Sequence, residues 1–145
     1  MSTPQANTPP RWFTVVSVLA IIWNVLGCMA YVAHVSITPE MIAALPEAER
    51  ALYEASPVWV NGAFAIAVWG GLLGTVLLAL RRKQAFPVLL VSLLGVLAQH
   101  AYSFGATGIV EVYGMQAIVI PVMVIIASNA LVVLSRRANA QGWMR

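Results

Sequence analysis

Two histidines, His34 and His100, sit inside long apolar runs of this sequence, with the amides Asn24, Asn61, Gln99 and Gln116 and the phenol of Tyr31. An imidazole titrates near neutrality and is a common metal ligand. Two of them on different helices could hold haem between them. Amides and phenols donate and accept hydrogen bonds, which suits recognition of a small polar solute. The chemistry that is missing narrows the choice. The sequence offers no Ser–His–Asp set, no carboxylate pair and no glycine-rich phosphate loop, and its single cysteine, Cys28, excludes a Cys-x-x-Cys motif or internal disulfide. No Asp, Glu, Lys or Arg interrupts the apolar runs, although ion-coupled carriers commonly place one at depth. The expectation is a protein that is not an enzyme and carries no cofactor or metal.

The elements that position these groups follow from composition. Of 145 residues, 61% are hydrophobic and 9% charged, against about 25% charged in a soluble domain. Crossing about 30 Å of hydrocarbon takes roughly 20 apolar residues in a helix. Four runs qualify, over about 12–36, 58–80, 86–104 and 114–134. They are continuous, whereas barrel strands alternate over about 10 residues. The fold expected is an all-α four-helix transmembrane bundle, a single domain over 12–135 flanked by tails 1–11 and 136–145.

Charge sets the direction of the spans. Arg11, Arg81, Arg82, Lys83, Arg136, Arg137 and Arg145 fall on one side, and Glu40, Glu47, Glu49, Glu54 and Glu111 on the other, with Arg50 the exception. Loops rich in Lys and Arg stay cytoplasmic, so both tails are expected inside and the 37–57 loop outside. The cations sit in short clusters beside spans, which argues against a nucleic-acid partner. In the loop, Thr38-Pro39-Glu40 reads as a helix start and Pro46 as a restart. Met41, Leu45, Ala48 and Leu52 form one apolar stripe. Surface-lying helices are usually basic, and this one is acidic, so two readings stand: a lid docked across the outer mouth of the bundle, or a solvated connector that only packs its stripe. Pro121 should bend the fourth span.

"VLGC" (25–28) resembles a lipoprotein processing box, but "MAYVAHVSI" continues the apolar run past the cysteine, so Cys28 is expected to pack within a helix. On a helical wheel Asn24, Gly27, Cys28, Tyr31 and His34 share a stripe, as do Ser92, Gly95, Gln99 and Ser103. With the spans in their expected directions, His34, Asn61, Gln99, His100 and Gln116 reach one level beneath the lid. That level suits a polar ligand entering from outside. It equally suits hydrogen bonds between helices, which average about 0.6 kcal/mol each. Gly70, Gly71 and Gly74 form a small-residue seam for close approach of another span or of a second copy in a homodimer.

"NVLGCMAY" and "SLLGVLAQ" share a Leu-Gly-x-x-Ala core, and "GAFAIAV" loosely matches "GMQAIVI", a hint of a duplicated hairpin. The chain resembles a family of small bacterial four-span inner-membrane proteins, some labelled "sugar transporter". The residues that carry the resemblance are "WNVLG" (23–27), "LPEAERALYEASPVWV" (45–60), "FAIAVWGGLLG" (64–74), "RRKQA" (81–85) and "SLLG" (92–95). The resemblance implies a bacterial inner-membrane location and the same loop order, and it brings no catalytic residues. The functional expectation is transport of a small, sugar-like solute, or a transport accessory. The alternatives are a non-catalytic helper that binds another membrane protein, and a haem-binding oxidoreductase subunit using His34 and His100.

Overall fold

A computed structural model describes residues 7–145, so residues 1–6 of the expected 1–11 tail lie outside it. The described residues form seven helices: α1 (Arg11–Val35), α2 (Pro39–Ala43), α3 (Glu47–Ala55), α4 (Val58–Ala79), α5 (Ala85–Ala106), α6 (Ile109–Tyr113) and α7 (Gln116–Ala140). Four of them, α1, α4, α5 and α7, are 22 to 25 residues long and apolar enough to cross a membrane. The protein is therefore an all-α four-helix bundle of the multi-pass membrane type. A helix is the natural solution there, because it satisfies its backbone internally where no water is available.

The fourth span differs from the sequence expectation at both ends. Gly114 does not begin it; it adopts φ 63° and separates α6 from α7. At the other end α7 runs on past Leu134 through Arg136 and Arg137 to Ala140. Those cations mark where an apolar run stops, whereas alanine and arginine are good helix formers in water as well. Arg137 in the last turn also faces the negative end of the helix dipole.

The loop between α1 and α4 is two helices. Thr38 caps α2 by accepting a hydrogen bond from the Met41 amide at 3.3 Å, with Pro39 at the first helical position. The backbone and the Thr38 hydroxyl hold the Glu40 carboxyl below its usual range. The expected single stripe does not survive. α2 ends at Ala43, Pro46 precedes α3, and the phase is reset between them. Met41 and Ala48 are exposed, while Leu52 and its neighbour Tyr53 are half-buried.

The spans pack as an arc. α1 lies on α4, α4 on α5, and α5 on α7; among the described residues no Cα of α1 comes within 8 Å of one in α5 or α7. Small residues let α4 approach its neighbours. A side-chain carbon at Gly95 would stand 2.9 Å from the Ala63 carbonyl oxygen, and one at Gly74 would stand 2.6 Å from Leu89. Gly71 meets Asn24 and Ser92, and Gly70 meets Ser92. The glycine seam thus meets side chains of α1 and α5 within the chain. Ser92 Oγ donates to the Ala67 carbonyl at 2.6 Å, and Cys28 Sγ donates to that of Val68 at 3.5 Å. Cys28 is a buried packing residue in an uninterrupted helix.

All the basic loops meet at one end. There Phe13, Leu78, Ala85, Ala138 and Met144 form a sealed apolar cluster. Trp143 packs edge-on against both Trp12 and Phe13. The 141–145 segment folds back onto the α4–α5 turn: the Arg145 amide donates to the Arg81 carbonyl at 2.6 Å, and the Lys83 amide to that of Arg145 at 3.1 Å. Arg81 adopts φ 60°, and its guanidinium donates to the carbonyls of Trp143 at 2.8 Å and Asn7 at 3.2 Å. A left-handed non-glycine residue costs about 1–2 kcal/mol, and these bonds offset it. Arg81→Ala should therefore destabilise the protein by about 1–3 kcal/mol in thermal unfolding, and Arg81→Gly by less because it relieves the backbone. Equal losses would show that the left-handed conformation carries no cost.

Candidate functional site

At the opposite, acidic end a cavity of about 250 Å3 opens beneath α3 and α6. Each wall follows from local sequence. The uninterrupted apolar run of α1 carries His34 to its last turn, and Asn61 sits in the first turn of α4 after Pro57. The two meet, His34 Nε2 to Asn61 Oδ1, at 3.1 Å. With that amide oxygen as acceptor, Nε2 is the ring nitrogen that donates. The phase reset at Pro46 turns Tyr53 of α3 onto the His34 ring, stacked at 5.3 Å and 26°. Phe64 packs edge-on against His34 at 5.7 Å, and Tyr31 against Phe64 at 5.3 Å.

A second attachment holds α3 in place. Tyr102 OH donates to the Ala55 carbonyl at 3.1 Å, and Trp59 braces the Tyr102 ring edge-on at 5.5 Å. On the far side, Ile109 and Tyr113 of α6 complete the wall. Burial pushes the Tyr113 phenol up from its usual range, and the nearby charge of Glu49 adds to this. The hydroxyl stays protonated at neutral pH and can donate towards α3. Along α5, Ser103 and Thr107 donate to the carbonyls of Gln99 and Ser103 at 3.1 and 2.6 Å. Their protons are used by the helix and their lone pairs remain for a ligand.

Lower down lies a second space, a cleft of about 380 Å3. Asn24, Gly27 and Ala30 of α1, His100 of α5 and Val124 and Ser128 of α7 contribute to its largely apolar walls. Asn24 donates to the Ala20 carbonyl of its own helix at 2.8 Å. His100 Nε2 is shut off from solvent with no hydrogen-bond partner among the described residues.

The residues singled out from sequence therefore divide between two levels. His34, Asn61 and Gln99 share the acidic-end cavity; Asn24, Gln99 and His100 line the cleft. Tyr31 lines neither and supports Phe64. Gln116, exposed at the first position of α7, lines neither. The two imidazoles line different cavities, an arrangement unlike the shared space that paired haem ligands require. Among the described residues no three His, Cys, Asp or Glu side chains come together as a metal site.

Sequence reading gave no site role to Tyr53, Phe64, Tyr102, Thr107 or Tyr113, all of which line the cavity. Thr107 was within reach, because it extends the Gln99–Ser103 row by one more turn. Tyr53 became visible only through the reset at Pro46.

In an alkaline titration, the tyrosine absorbance lost in Tyr113→Phe should correspond to a phenol that ionises above pH 10. Because the folded value is raised, the phenol's contribution to closing α6 over α3 is complete below that pH and fades as pH climbs through the raised value. A missing phenol that ionises at or below 10 would contradict the burial described. No family model matches the chain, and no curated protein or solved structure matches it.

Proposed function

We propose that this integral membrane protein binds a small, uncharged, hydroxyl-rich solute in its acidic-end cavity and acts in that solute's transport, directly or as an accessory. The observation that carries this reading is the cavity itself. Its lining combines side chains able to hydrogen-bond, His34, Asn61, Gln99 and Tyr102 among them, with aromatic faces and no Asp, Glu, Lys or Arg. Convergent polar groups on an apolar wall are the usual make-up of a small-molecule site. A volume of about 250 Å3 lies just under the roughly 300–1,000 Å3 of drug-sized pockets, which favours a compact ligand. The α3 helix, tied down through Tyr53 and Ala55, acts as the lid.

In this reading the membrane is a bacterial inner membrane, and the charge asymmetry supports an acidic end facing outside with the Arg81–Lys83 turn in the cytoplasm. The sealed cluster around Phe13 then closes the cytoplasmic side, so passage of a solute requires α1 to part from the folded-back 141–145 segment. The helper reading drew on the glycine seam, whose contacts with Asn24, Leu89 and Ser92 are internal. The haem reading drew on two imidazoles that now line separate spaces.

Counterflow of labelled monosaccharides in proteoliposomes tests the proposal. Asn61→Ala removes a cavity amide and releases His34, and should weaken apparent affinity about tenfold, the equivalent of about 1.4 kcal/mol. Wild-type behaviour of Asn61→Ala, or no exchange for any uncharged solute, would overturn it.

A further inference from the structure

The two cavities adjoin: Phe64 and Gln99 line both, and they form the partition between them. The lower cleft lacks a wall on one flank. It is bounded by α1 and α7, yet among the described residues no Cα of one helix comes within 8 Å of the other. Trp23, Leu26 and Ile120 stand at this gap with 42%, 58% and 59% of their surface exposed. In a bilayer such a gap faces acyl chains. A hydrogen-bonding chamber next to an apolar slot that opens sideways into hydrocarbon is complementary to an amphiphile.

We infer that the ligand is an uncharged single-chain amphiphile that enters between α1 and α7, its hydroxyl-bearing head in the acidic-end cavity and its chain in the cleft. This rests on the solute-binding reading and adds the tail and the route. The head is neutral because no Lys or Arg lines either space, and an unpaired buried charge costs several kcal/mol. Glu49 beside Tyr113 further disfavours an anion. The chain exchanges one apolar medium for another and gains little transfer free energy. It fills a void whose walls otherwise lack contact partners. Selectivity therefore resides at the head.

A monoacylglycerol bearing a diazirine on its acyl chain, incubated with the full chain in phosphatidylcholine nanodiscs and photolysed, tests this. Label should concentrate in residues 23–30 and 120–128, at least fivefold above residues 15–22, which are equally apolar. Excess unlabelled monoacylglycerol should compete, and an equal excess of fatty acid should not. Ala30→Trp places an indole in the cleft from an exposed position of α1; it should remove most label from 120–128 and leave binding of a free monosaccharide unchanged. Even labelling of the lipid-facing surface, competition by fatty acid, or label at 120–128 that survives Ala30→Trp would overturn the inference. Persistent monosaccharide binding in that case would leave the solute-binding reading standing, whereas loss of both would end both.

Discussion

A polar group left without a partner in hydrocarbon costs several kcal/mol, and that constraint organises this chain. It makes each span a continuous helix, and it governs the hydroxyls within the spans. Ser17, Thr75 and Ser135 each return a hydrogen bond to a carbonyl three or four residues earlier in their own helix, at 2.8 to 2.9 Å. Ser92 instead crosses to Ala67, where the small residues of α4 and α5 bring the two backbones together. These side chains are stitching. His34, Asn61, Gln99 and His100 are different in kind, because they collect around two spaces that the helices leave open.

The openness has a simple origin. Among the described residues α4 is the one span that touches every other span, and it meets α1 and α5 through Gly and Ala positions. α1 has close backbone contact with α4 alone among the spans, so nothing draws it towards α7 along most of its length. What joins them is the apolar cluster at the basic end, where Phe13 meets Ala138 and the returning Trp143 and Met144. The same arrangement therefore seals one end and leaves a lateral gap further along. Helix packing and cavity shape are one fact.

Much of this was legible in the sequence, for identifiable reasons. Span number and limits follow from apolar length, because the bilayer fixes how much chain is needed, and α1, α4 and α5 lie within two residues of expectation. The Thr38 cap and the restart at Pro46 follow from local chemistry. The end of α7 was not legible, since hydropathy reports the edge of a bilayer while the helix continues into water. The expected span directions put His34 and Asn61 at one level with Gln99, His100 and Gln116, and of these His34 and Asn61 are hydrogen-bonded to each other. Splitting one polar level into two cavities required the arc-like packing order, which no pattern along a single helix encodes. The aromatic walls supplied by Tyr53 and Tyr113 depend on turns at Pro46 and Gly114, where a small change of phase decides which side chain faces inward.

The account centres on a solvent-accessible cavity at the acidic end, and thiol accessibility tests that directly. In a Cys28→Ala background, Gln99→Cys lies on the cavity wall, and Leu94→Cys lies on the exposed apolar face of the same helix. A membrane-impermeant maleimide applied to the face opposite the Arg81–Lys83 turn should modify the first and not the second. Equal modification at both positions, or none at either, would contradict the cavity and the membrane placement built around it.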